Sequence, residues 1–179
     1  HAGGTAELLR RCPNATALVH PKTARHLAKP DRLIQAARLI YHDRFDALYG
    51  VIEPVPADRM RTVADGESLD WGDRRLTFLH TLGHATHHYC IHDETSRAAF
   101  TGDSFGIAYP ALQGGENPFV FAAATPTEFD QIQARAAALR IMDLRPETVY
   151  LGHFGGYSAS DAFAETLLRT IDGCAAIVD

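Results

Sequence analysis

Leu79-His80-Thr81-Leu82-Gly83-His84 carries an apolar run into a glycine and then a histidine. A strand written this way ends where a side chain able to bind metal projects past the sheet. The same design recurs in Ala99-Phe100-Thr101-Gly102-Asp103 and in Val149-Tyr150-Leu151-Gly152-His153. Glycine lets the chain leave a sheet sharply and lets backbone come close with no Cβ in the way. Loops beyond the strand ends can then enclose an open metal position. One Gly-His or Gly-Asp means little. Three at strand ends, with a further histidine in the Gly-rich opening His1-Ala2-Gly3-Gly4, point to a single site.

Outward from these segments the pattern is mixed. Residues 5–11 predict a short helix ended by Cys12-Pro13-Asn14, residues 16–20 a buried strand, and Pro21 the first position of a second helix. Asp31 is read as the cap of a longer helix in which Leu33, Ile34, Ala37, Ile40, Tyr41, Phe45 and Leu48 keep helical spacing. Residues 30–56 thus read as a helical insertion, packed on the surface or lying over the site. Strands follow at 61–64, 67–71 and 74–80, separated by the turn dipeptides Asp65-Gly66 and Gly72-Asp73, then at 88–92 and 97–100 around Asp93-Glu94-Thr95. Residues 105–124 read as a loop. Thr125-Pro126-Thr127-Glu128 is a capping box opening a helix whose Phe129, Ile132, Ala136, Leu139 and Met142 share a face. A strand at 148–151 and a last helix from Ser158 or Ser160, carrying Phe163, Leu167, Leu168 and Ile171, complete one α/β domain.

Composition narrows the function. In 179 residues, 46% hydrophobic and 22% charged, no stretch nears the ~18 apolar residues of a membrane-spanning helix. A net charge of −5 and the lack of a basic stripe speak against a nucleic-acid partner. Cys12, Cys90 and Cys174 lie far apart with no C-x-x-C pair, which predicts no disulfide framework and a reducing, cytoplasmic setting. The ten histidines stand out instead. Imidazole and carboxylate without cysteine suit zinc, with iron and manganese as alternatives. A carboxylate such as Asp103 can offer one oxygen to each of two ions, and a metal pair generates hydroxide at neutral pH with no Ser, Cys or Thr nucleophile.

His1-Ala2-Gly3-Gly4, His80-Thr81-Leu82-Gly83-His84, Thr101-Gly102-Asp103 and Gly152-His153, in this order, resemble the successive motifs of the metallo-β-lactamase superfamily, and more narrowly its lactonase and glyoxalase-II-like hydrolases. The resemblance implies the four-layer αββα sandwich of that family, over residues 1–179. It assigns His84 to a first metal, His1 and His153 to a second, and makes Asp103 the bridge and catalytic residue. The family's first motif is H-x-H-x-D-H, and His1 matches only its last position. A chain that starts there without Met is therefore expected to lack its beginning, and alone to bind metal poorly. His88, four residues after His84, is read as orienting a ligand. His80 and His87 are assigned structural or orienting roles; His20, His26, His42 and His92 are placed on the surface or in turns. Some lactonases of the family carry a Tyr three residues past the bridging Asp; Gly106 stands there, and Tyr109 is the substitute for substrate contact, with Phe154 and Tyr157 lining the pocket.

The function so implied is a dinuclear metal-dependent hydrolase whose bridging hydroxide attacks the carbonyl of a small-molecule ester, lactone or thioester. The alternative is a diiron redox or oxygen-binding protein on the same fold. The residues fix neither the substrate nor the oligomeric state.

Overall fold

Proline and glycine cut the first 63 residues into short elements, here described from a computed structural model that covers residues 2–114, 118–124 and 128–178. Helix α1 (Thr5–Arg11) stops at Cys12-Pro13 and is followed by strand β1 (Ala17–Val19). Pro21 opens α2 (Pro21–Ala28), capped by His20, whose Nδ1 accepts from the Lys22 N–H at 3.1 Å. His20 is therefore a buried helix cap, not the surface residue its position suggested. Asp31 is the first residue of α3 (Asp31–Tyr41), and Pro30 precedes it. The single long helix predicted here breaks at His42, where φ is 49°; a 3-10 turn (His42–Arg44) and α4 (Phe45–Tyr49) follow. Of its spaced apolar residues only Phe45 is buried, while Leu33 and Ile40 are exposed. Strand β2 (Met60–Thr62) pairs parallel with β1, Ala17 opposite Met60. The Arg59 guanidinium beside it donates to the carbonyls of Leu9, Cys12 and Ala15, closing the C-terminal end of α1.

Residues 64 onward form a second compact unit. Its strands are β3 (Ser68–Trp71), β4 (Arg74–His80), β5 (Tyr89–Asp93), β6 (Ala98–Gly102), β7 (Thr148–Leu151) and β8 (Gly156–Ser158), hydrogen-bonded in that order. Helix α5 (Gln131–Asp143) lies between β6 and β7, and α6 (Asp161–Val178) follows β8. All pairings are antiparallel except β6–β7, joined through α5 as a parallel pair must be by a long crossover. Short and at the sheet edge, β8 has no alternation in Gly156-Tyr157-Ser158 to announce it.

One face of the sheet gives Cys90, Ala99 and Val149 to a core completed by Phe105 and by Ile141, Phe163 and Leu167 from the two helices. The face predicted for α5 is corrected. Ile132 is 78% exposed and Leu139 46%, while Ala134, Ala137, Ala138 and Ile141 point inward. The reason is spacing: a Cβ on Gly83 would stand 2.2 Å from the Ala134 nitrogen, so this turn of helix lies too close for large side chains. The predicted capping box falls mostly outside the described residues; α5 starts instead from Asp130, whose carboxylate accepts from the Gln133 N–H.

Candidate metal centre

Asp103 leaves β6 through a register shift between Phe100 and Gly102, a local irregularity of the kind that re-aims a side chain. Gly102 takes φ 51° and ψ −133°, and a Cβ there would meet His88 Nε2 at 2.5 Å. Only glycine satisfies both demands. Asp103 then opens a 3-10 turn (Asp103–Phe105) with its side chain 8% exposed.

Two histidines face that carboxylate, one on each oxygen. His84, four residues past the end of β4, places Nε2 at 3.3 Å from Oδ2; His153, two past β7, places Nε2 at 3.6 Å from Oδ1. Gly152 makes the second approach feasible, because a Cβ there would sit 2.6 Å from Asp103 Oδ1. Its N–H also donates to the Gly102 carbonyl at 2.8 Å, tying the ends of β6 and β7 together. His84 Nδ1 lies 2.7 Å from the Ala123 carbonyl. A carbonyl only accepts, so Nδ1 carries the proton, and in the neutral ring Nε2 keeps its lone pair toward Asp103. That is the tautomer a metal ligand needs.

His88 holds the carboxylate's backbone and also stands edge-on to the His84 ring, centroids 5.7 Å apart. Its Nε2 accepts the Asp103 N–H at 3.2 Å, so its proton lies on Nδ1, 2.9 Å from Ser104 Oγ and 3.0 Å from Thr81 Oγ1. Ser104 in turn donates to Thr81 at 2.8 Å, and Cys90 Sγ lies 3.3 Å from both Thr81 Oγ1 and the Thr101 carbonyl. Burial pushes the Cys90 thiol up to about 12, which keeps it neutral and unreactive. Thr81, Ser104 and Cys90 carry no signal in the sequence beyond lying near the strand ends.

The structure brings together His84, Asp103, His153 and His88; His1 lies outside the described residues. His87 faces Glu128 at 3.6 Å, and the His80 backbone N–H donates to Asp65. Among the described residues no three His, Cys, Asp or Glu side chains close around one point. The donors present nonetheless fit metal in kind and spacing. Two ligands about 2.0–2.2 Å from one tetrahedral ion stand about 3.3–3.5 Å apart, close to the 3.3 and 3.6 Å found here and longer than an ordinary hydrogen bond.

Aromatic rings continue from His153. Phe154 adopts φ 68°, rare for a bulky residue. Its ring stands 6.0 Å from His153 and 4.6 Å from Tyr109, which stacks on Phe121 at 5.9 Å. Tyr157, expected to line the pocket, stacks on Phe163 instead, and its hydroxyl donates to the carbonyls of Ala108 and Phe154.

Comparison with known proteins follows the same lines. The chain is 27% identical over 158 residues to the metallo-β-lactamase fold-containing protein ST1585 of Sulfurisphaera tokodaii, covering 87% of this chain and 56% of that relative. The crystal structure of ST1585 superposes with a TM-score of 0.76 at 25% identity, covering 93% of this chain and 61% of that one. A shorter match, 41% identical over 39 residues, is to the human acyl-coenzyme A thioesterase MBLAC2, covering 22% of this chain and 14% of the relative. TTHA1623 in a di-iron-bound form shares the fold, with a TM-score of 0.59 at 24% identity over 95% of this chain and 70% of that one. The chain thus spans only part of the length of these relatives. Among the described residues no helix is long and apolar enough to cross a membrane. The family model of the metallo-β-lactamase superfamily matches residues 1–153, ending on the histidine that faces Asp103, and the chain belongs to that superfamily.

Proposed function

We propose that this chain carries the active centre of a dinuclear metal-dependent hydrolase that cleaves a small ester, lactone or thioester. One observation carries the reading: His84 and His153 address opposite oxygens of the same buried carboxylate. Asp103 would thereby serve two ions, one beside each imidazole. Such ions, zinc first and iron or manganese as alternatives, would supply Lewis acidity and lower the pKa of water to about 7. The chain's own residues set the stage for that chemistry. The Ala123 carbonyl holds His84 in one tautomer, His88 holds the Asp103 backbone, and Gly152 leaves room for the carboxylate. The short match to an acyl-coenzyme A thioesterase supports a thioester among the three substrate classes.

The test is a panel of small thioesters, lactones and esters offered to the intact protein loaded with zinc, manganese or ferrous iron. Cleavage of at least one class, abolished by Asp103→Ala, is expected. Unchanged turnover in that variant contradicts the reading. Iron uptake with visible absorption and no cleavage favours the diiron redox or oxygen-binding alternative.

A further inference from the structure

Against His84 and Asp103 lies a hollow of about 10 Å³, walled by residues such as Ala122, Ala123 and Leu167. That is space for about one water molecule and nothing larger. A substrate body does not fit that hollow, and the more open flank of Asp103 is at His153, whose side chain is 41% exposed against 17% for His84. What lies there is aromatic. Phe154 is 50% exposed, Tyr109 41% and Phe119 38%, and the rings run as a chain of contacts from His153 through Phe154, Tyr109 and Phe121 to Phe119.

These rings are held, not draped. Ile107 and Phe121 form an antiparallel bridge. The Gln113 side-chain amide spans the same two segments, donating to the carbonyls of Tyr109 and Phe119 at 3.1 and 2.7 Å and accepting the Phe119 N–H. Tyr157 pins the third segment, its hydroxyl donating to the carbonyls of Ala108 and Phe154 at 2.7 and 3.3 Å. Phe154 keeps its left-handed backbone within this frame. A fixed, partly exposed aromatic surface binds apolar groups at little cost in ordering.

We propose that Phe154, Tyr109, Phe121 and Phe119 form the acyl-binding surface of this centre, selecting substrates whose carbonyl carries an aromatic or extended apolar group. The inference rests on the hydrolase reading and deepens it. A substrate lying on Phe154 and Tyr109 has its carbonyl at the His153 end of the row, beside Asp103.

The experiment compares acetyl and phenylacetyl thioesters of N-acetylcysteamine on the metal-loaded protein, with phenylacetate and acetate as separate binding probes in saturation-transfer NMR. The phenylacetyl thioester should be favoured in kcat/KM by about tenfold or more. Phe154→Ala and Tyr109→Ala should each collapse that preference several-fold, whereas Tyr150→Ala, an exposed ring elsewhere on the sheet, should preserve it. Gln113→Ala, which frees the rings without removing one, should raise KM for the phenylacetyl compound more than it lowers kcat. Thermal midpoints of each variant identify any that are misfolded. Equal preference for the two thioesters, or equal losses on both in the ring variants, overturns the proposal. If neither thioester is cleaved, the hydrolase reading fails for this class and the NMR arm decides the surface alone. Transfer to phenylacetate that is lost in Phe154→Ala supports the surface; absence of transfer overturns it.

Discussion

Asp93 and Asp103 stand at opposite ends of the β5–β6 hairpin, both buried, and their carboxylates keep opposite company. Asp93, fully buried, accepts from the Thr95 and Ser96 N–H groups and from the Ser96 hydroxyl, and pairs with Arg74 at 3.1 Å. Burial alone would raise its carboxyl, but those donors outweigh it and hold the group below the usual carboxylate range. Asp103 meets imidazole nitrogens instead, at distances longer than a hydrogen bond requires. Burial of a carboxylate therefore does not mark a site; the chemistry of what faces it does. Fixed donors make Asp93 the staple of a turn. Ligand-type nitrogens make Asp103 the carboxylate proposed here to serve the metal ions.

The largest expected effect breaks the comparison at Asp103: on the proposed function, replacement by Ala should cut turnover about a thousandfold or more, since the proposed bridging ligand goes with it. Next come changes around it that leave the carboxylate in place. Gly152→Ala drives a Cβ toward Oδ1, and His88→Ala frees the Asp103 backbone. Each should weaken metal affinity about 10–100-fold, the usual cost of losing an orienting partner, measured by competition with a chromophoric chelator. Asp93→Asn should act on stability alone, costing about 2–3 kcal/mol, or about 5–10 °C in the thermal midpoint of a chain this size. The smallest effect is the pH dependence of the same group. With its folded value depressed, the stability Asp93 adds is complete above the unfolded value of about 3.9 and drains away as pH falls through the folded one. Acid titration of the melting midpoint should show this below about pH 4, and Asp93→Asn should flatten it.

The sequence singles out one of these two aspartates as a candidate ligand and gives no sign of what surrounds the other. Gly102-Asp103 stands out because a glycine before a His or Asp at a strand end repeats at Gly83-His84 and Gly152-His153, and all three glycines prove to be close approaches that a Cβ would block. Asp93 falls in a predicted turn, yet nothing in Asp93-Glu94-Thr95 announces the Arg74 that meets it from the neighbouring hairpin. Strand positions were legible for the same local reason, from turn dipeptides and alternation. The inward face of α5 was not, because it is set by how closely Gly83 lets the helix approach, a tertiary fact that favours alanines over the Ile132–Leu139 stripe. Likewise the Thr81–His88–Ser104 cluster joins residues up to 23 positions apart by single hydrogen bonds, which leave no periodic trace.

Metal content of the intact protein, measured by elemental analysis for the wild type, Asp103→Asn and Asp93→Asn side by side, tests the account most directly. Asp103→Asn should lose its divalent metal while keeping a native circular-dichroism spectrum, and Asp93→Asn should keep the metal and melt at lower temperature. Wild-type metal content in Asp103→Asn would contradict the assignment of this carboxylate as the metal bridge.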